Sequence, residues 1–183
     1  MKRKLAFLGT ILPIILIADI LTKRWAEEAL SGAPRPDFLG GLVPLTLTHN
    51  RGAAFGISIG NDPRWFFIPV ALLALGLMVF LLARAHRRDH VRIVSLALVI
   101  SGALGNLIDR VRWDGGVVDF IGPVDLGFMD WPIFNVADMA ISCGAVLLAL
   151  SFWLEERALK RAQGQEAAAN PGEVITNRET IEG

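Results

Sequence analysis

Four stretches of the chain are apolar for long enough to cross a bilayer. Leu5–Thr22 carries one charge, Asp19, near its end; Phe66–Ala83 carries none; Ile93–Ile108 is shorter and uncharged; Ile133–Leu154 carries only Asp138, near its start. Eighteen helical residues rise about 27 Å, close to the thickness of the hydrocarbon core. Lipid and bundle interior both accept apolar side chains, so helical or strand periodicity adds little within these runs. The pattern predicts a mainly α integral membrane protein: four transmembrane helices with a small β-element outside the membrane.

The segments between the runs differ in character. Val43–Asn50 alternates apolar and polar residues and predicts a short strand. Val117–Ile121 and Val124–Met129 flank Gly122-Pro123 and predict a hairpin. Pro132 suits the first turn of the fourth helix, where a missing N–H costs nothing. The expected organisation is one four-helix domain over residues 1–161, followed by a polar tail, 162–183, with Asn170-Pro171-Gly172 and no expected structure. There is no internal repeat. Met-Lys-Arg-Lys before an apolar run also fits a cleaved signal peptide, but no small-residue cleavage site follows, which predicts an uncleaved first helix.

Composition agrees. Over 183 residues the chain is 53% hydrophobic and 20% charged, with mean hydropathy +0.49, too little polar surface for a water-soluble domain of this size. Its net charge of zero gives a nucleic-acid partner no overall electrostatic support. The basic residues are clustered: Lys2, Arg3 and Lys4; Arg84, Arg87, Arg88 and Arg92; Arg157, Lys160 and Arg161. Four spans put these groups on one side, so both termini are expected in the cytoplasm, with residues 23–65 and 109–132 outside. Trp25, Trp65, Trp113 and Trp131 fall at the outer ends of spans and Trp153 at an inner end, as an aromatic belt would. Cys143 is alone in an apolar run and reads as a small core hydrophobe.

Polar residues inside spans are expensive and need a reason. Asp19 and Lys23 stand at i and i+4, within pairing distance on one helix face, and read as a structural salt bridge more readily than as a binding contact. Asn50-Arg51-Gly52-Ala53-Ala54-Phe55 ends the strand with small residues that either allow close approach or simply turn. Gly102 and Gly105 form a small-residue stripe for helix packing, and Asn106, Asp109 and Arg110 follow one turn further out. Packing explains the glycines but not three polar groups at one depth. Asp119 lies in an apolar stretch of the outer loop, where alone it would read as a solvated loop residue. Asp138 stands about two turns inside the fourth helix, with Asn135 at i−3 on its face. All these groups come to the outer ends of segments far apart in sequence. Two carboxylates sharing a proton can hydrolyse an amide, one drawing a proton from water while the other donates one.

Asp19-Ile-Leu-Thr-Lys23, Asn50-Arg-Gly-Ala-Ala-Phe55, Gly102-Ala-Leu-Gly-Asn-Leu-Ile-Asp-Arg110, Val117-Val-Asp-Phe120 and Phe134-Asn-Val-Ala-Asp138 occur in that order within a four-span topology. Together they resemble the bacterial lipoprotein signal peptidases (signal peptidase II), with Ser101 standing where many members carry glycine. The resemblance implies an aspartic peptidase of the bacterial cytoplasmic membrane, with its site at the outer face. It would remove the signal peptide of a diacylglyceryl-modified prolipoprotein just before the lipidated cysteine. It implies Asp119 and Asp138 as the catalytic pair, Asn50, Asn106, Arg110 and Asn135 as substrate-binding residues, and Asp19, Lys23 and Asp109 as structural support. It further implies no metal or other cofactor, contact with membrane lipids, and inhibition by the cyclic peptide globomycin.

Other classes fit less well. A proton-coupled transporter would show repeats and carboxylates near mid-membrane. A metal hydrolase lacks ligands: His49 is the only outer histidine, and His86 and His90 sit in the basic loop with no glutamate between them. A non-catalytic assembly factor would have no use for two aspartates in this setting.

Overall fold

A computed structural model describes residues 2–32, 37–38, 43–52 and 62–169. The four predicted spans are helices, each longer than its apolar core: α1 (Lys2–Leu30), α2 (Arg64–Arg84), α3 (His90–Arg112) and α4 (Val136–Ala169). All four are long and apolar enough to cross a membrane. Helix α3 is the central one. Of its most apolar stretch 56% is buried, against 6% in α1, which exposes leucine and isoleucine, and 6% in α2, which exposes leucine, valine and phenylalanine.

Small residues set the spacing of α3 and α4. A methyl group on Gly102 would overlap the Ala137 carbonyl oxygen, and one on Gly144 would lie 2.7 Å from the Ser95 carbonyl oxygen. The backbones therefore meet directly, as the glycine stripe predicted. Ser101 returns its hydroxyl to the Ala97 carbonyl at 2.6 Å. At the bundle end carrying the basic clusters, Lys4 donates to the Ala83 carbonyl at the end of α2 (2.8 Å). There Asp89 caps α3 through the Arg92 N–H (2.9 Å), and Arg92 pairs with Glu155 of α4 (2.6 Å).

The opposite end carries the β-elements: β1 (Asp37–Phe38), β2 (Val43–Asn50), β3 (Val117–Ile121), β4 (Val124–Asp125) and β5 (Asp130–Trp131). Strand β2 has the predicted bounds and lies between β1 and β3, antiparallel to both. Phe120 joins Leu45, Ala26 and Leu30 in a small core that seats the sheet on α1.

Three expectations are corrected. The predicted 117–129 hairpin does not form as drawn: β3 pairs with β2, and β4 pairs with β5 instead. Gly122, at φ 113° and with its N–H on the Pro44 carbonyl (2.8 Å), closes the β3 ladder and sends the chain elsewhere. The fourth helix begins at Val136, so Pro132 lies outside it and Asp138 is in its first turn rather than two turns deep. The backbone of Phe134 is paired with Ile121 in both directions at 2.9 Å, which holds this stretch extended. At its other end α4 continues through Ala169, beyond the expected tail boundary at 162. The alanine-rich sequence beyond residue 161 favours the extra turns. Residues 170–183, like Ala53–Phe55 of the small-residue motif, lie outside the described residues.

Candidate active site

The site is built on the first turn of α4. Asn135 is its N-cap: the side-chain Oδ1 accepts the Asp138 N–H (2.9 Å), and Asp138 Oδ2 accepts the Asn135 N–H (3.3 Å). This reciprocal arrangement satisfies two otherwise orphaned N–H groups and fixes the Asp138 carboxylate. A third N–H of the turn, that of Ala137, donates to Asp19 Oδ1 from α1 (3.0 Å). Gly105 makes room for this, since a methyl there would come within 2.8 Å of Asp19 Oδ2.

Behind the turn lies a buried ionic group. Lys23 Nζ donates to Asp19 Oδ2 at 2.7 Å and to Asn106 Oδ1 at 3.2 Å, and stands 2.6 Å from Asp109 Oδ2 as an ion pair without hydrogen-bond geometry. Asp19 and Lys23 are each 1% exposed, well inside the bundle rather than at its edge. With its oxygen held by Lys23, the Asn106 amide turns its NH2 group to Asp138 Oδ1 (2.7 Å). The Asn135 NH2 group donates to Asp119 Oδ1 (2.7 Å), to Asn106 Oδ1 (3.1 Å) and to the Val118 carbonyl (3.2 Å). Two asparagine amides thus each hold one of the two predicted catalytic carboxylates.

Asp119 comes from β3. Alternation along the strand sends Phe120 to the small core and Asp119 to the opposite face, where it is 3% exposed rather than solvated. Burial, with the negative charge of Asp138 nearby, pushes its carboxyl up to about 6 from the ordinary 3.8. Hydrogen bonds from Asn50 and Asn135 and the charge of Lys23 partly oppose the rise. Asn50 also accepts the Gly52 N–H (2.9 Å), which turns the chain out of β2.

Arg110 donates to the Asn106 carbonyl (3.2 Å), and its guanidinium lies 5.8 Å from the Phe67 ring centre. Its Nε is buried with no partner among the described residues. The structure therefore gathers all nine predicted residues into two connected groups. Asp119, Asp138, Asn50, Asn106, Asn135 and Arg110 surround the carboxylates; Asp19, Lys23 and Asp109 stand behind them. Lys23 and Asn106 link the two.

Sequence reasoning missed the cleft beside Asp138. About 500 Å³ in volume, it is lined by Met129, Trp131, Pro132, Ile133 and Phe134 on one side and Met139, Ser142 and Cys143 on the other. Cys143 is exposed there, correcting its reading as a core residue; an apolar run alone does not distinguish a lipid-facing position from a core one.

Known proteins are similar to this chain in sequence and in fold. The family described as Signal peptidase (SPase) II matches residues 11–154. A lipoprotein signal peptidase of Hydrogenovibrio crunogenus is 42% identical over 156 residues, covering 84% of this chain and 89% of that protein. One from Streptococcus pyogenes serotype M2 is 39% identical over 156 residues, covering 85% and 97%. Two bacterial membrane enzyme structures determined by the in meso method are similar. One, at 2.3 Å resolution, has TM-score 0.72 and 29% identity over 81% of this chain and 88% of that chain. The other, at 1.9 Å, has TM-score 0.70 and 30% identity over 79% and 91%.

Proposed function

The chain belongs to the signal peptidase II family, and from that premise we propose that it is an aspartic endopeptidase that removes signal peptides from diacylglyceryl-modified prolipoproteins, cutting before the lipidated cysteine. The observation that carries this reading is the pairing of two chemically unequal carboxylates beside an apolar cleft. Asp138 accepts hydrogen bonds from the Asn106 amide and the Asn135 N–H, in the first turn of a helix. Asp119, buried and pushed up to about 6, is suited to carry the shared proton.

In this mechanism Asp138 takes a proton from water as the water oxygen attacks the scissile carbonyl carbon. Asp119 gives its proton to the carbonyl oxygen, forming a tetrahedral diol. On collapse the C–N bond breaks, the leaving amine takes the proton from Asp138, and Asp119 recovers one from the diol. Arg110 Nε, without a partner among the described residues, and the Asn50 amide would hold substrate backbone, and the cleft would take the lipid of the modified cysteine. A globomycin-type cyclic peptide would compete for the same groups. The clustered arginines and lysines at the far end support an orientation with both termini in the cytoplasm and the site at the outer face of the cytoplasmic membrane.

The test is substitution of each carboxylate. Asp119→Asn and Asp138→Asn preserve volume and hydrogen-bonding atoms but cannot exchange a proton. Purified, folded variants are expected to lose at least about 10³-fold in kcat on lipidated precursor, with the double variant scarcely worse than either single one, because the pair acts as a unit. EDTA is expected to leave the parent active. A folded Asp138→Asn enzyme working at near-parental rate would overturn the proposal, as would loss of activity in EDTA with recovery on adding metal.

A further inference from the structure

The β4–β5 hairpin has apolar residues where a water-exposed turn would have polar ones. Its tip, Leu126-Gly127-Phe128-Met129, is closed by the Leu126 N–H on the Met129 carbonyl (3.0 Å), with Gly127 at φ 83°. Phe128 is 82% exposed, and Leu126, Met129 and Trp131 are each more than 40% exposed. The hairpin's only charges, Asp125 and Asp130, face each other in register where the strands meet the tip, with Val124 and Trp131 paired at the root. Asp125 is turned back on the Gly127 N–H (2.6 Å). A charged pair at the base of a wholly apolar four-residue tip is the segregation expected where a segment passes from headgroups into hydrocarbon.

Its position agrees. Met129 and Trp131 share the walls of the cleft with Met139, Ser142 and Cys143, which lie in the first two turns of α4. The hairpin therefore stands alongside the end of α4, not on top of the bundle. Met139, Cys143, Val146 and Leu150, at i, i+4, i+7 and i+11, form an exposed stripe down that side of α4. In a spanning helix such a stripe meets lipid, and the hairpin tip continues it.

We propose that the β4–β5 hairpin is a paddle inserted among the acyl chains of the leaflet on the site side, with Phe128 as its anchor. As the lipid-side wall of the cleft, it holds the opening in hydrocarbon, so that a lipid-modified chain enters laterally without leaving the bilayer. The role in substrate entry rests on the peptidase reading; the insertion does not.

Depth can be measured without catalysis. In a Cys143→Ser background reconstituted in liposomes, nitroxide labels are placed by Phe128→Cys, by Val146→Cys as a hydrocarbon reference and by Asp114→Cys as an aqueous one. The label at 128 is expected to match that at 146, accessible to oxygen and protected from a water-soluble nickel chelate. Nickel accessibility equal to that at 114 overturns the paddle, whatever else covers the tip. In the otherwise native enzyme, Phe128→Asp is expected to raise KM for lipidated precursor about tenfold with kcat within about twofold, and Phe128→Trp to restore KM. An unchanged KM with Asp removes the role in entry. An inserted label in a protein that cleaves no lipidated precursor would sink the peptidase reading and leave the paddle standing.

Discussion

Lys23 is the residue on which the most buried charge depends, and its replacement by methionine, similar in length and apolar, isolates that dependence. The ammonium is shared by two carboxylates, Asp19 and Asp109, 1% and 6% exposed, and by the Asn106 amide. Lys23→Met removes the only cation in contact with the two acids among the described residues, and the acids are then buried side by side. Breaking a buried ion pair by removing one partner costs about 3–5 kcal/mol. With two acids stranded, the expected loss is at the upper end, about 5 kcal/mol, a large part of the 5–15 kcal/mol that a typical domain has.

The same geometry makes Asp19 less costly, because Lys23 keeps Asp109. Asp19→Asn retains an oxygen for the Ala137 N–H and is expected to cost about 1–2 kcal/mol. Asp19→Ala also leaves that N–H at the start of α4 uncapped, adding about 1 kcal/mol. Correctly folded Asp19→Ala enzyme should keep more of its activity than of its stability. Reversible denaturation in detergent micelles, followed by tryptophan fluorescence, gives the ranking Lys23→Met, then Asp19→Ala, then Asp19→Asn. Adding Asp109→Asn to Lys23→Met should recover part of the loss, since it removes a stranded charge. The reasoning is refuted if Lys23→Met lies within about 1 kcal/mol of the parent, or if it costs less than Asp19→Ala.

Asp119 gives a pH signature. Because its folded-state pKa is raised from 3.8 to about 6, its contribution is fully favourable below 3.8 and is lost as pH rises through 6. Asp119→Asn should therefore exceed the parent in stability by up to about 3 kcal/mol at pH 7.5, with the gap closing toward pH 4, read by denaturation at both pH values. Gly102→Ala drives a methyl into the Ala137 carbonyl and should cost about 1–3 kcal/mol and displace the first turn of α4, lowering both Tm and kcat. For topology, single cysteines at Asp37 and Arg88 in a Cys143→Ser background should differ in intact spheroplasts. An impermeant reagent is expected to label the first and not the second, and the reverse pattern would invert the orientation.

The spans were legible because the length of an apolar run is itself the physical requirement for crossing hydrocarbon. Strand β2 was legible because Val43–Asn50 alternates, and its bounds are those observed. The start of α4 was not. Ile133 and Phe134 are equally at home in a buried strand or a helix, and the deciding contact, with Ile121, comes from another segment. The hairpin was misdrawn for a related reason: Gly122-Pro123 marks a turn without saying which strands pair across it. Within the site, the motif residues were all visible, but not their division of labour. The direct link from Lys23 to Asn106 joins positions 83 residues apart, and no local pattern encodes it.

That link explains why the supporting residues lie where they do. A helix N-terminus leaves several N–H groups without partners, and at α4 three of these donors meet Asn135, Asp138 and Asp19. Asn135 and Asp138 also hold or form the carboxylate pair, and Asp19 is tied through Lys23 to the amide that orients Asp138. Stability of the fourth helix and geometry of the pair are thus set by the same hydrogen bonds. Conversely, a substitution that stabilises the site by discharging it, such as Asp119→Asn, removes the inequality between the two carboxylates that the proposed chemistry uses. The site is one where added stability and retained activity are expected to exclude each other.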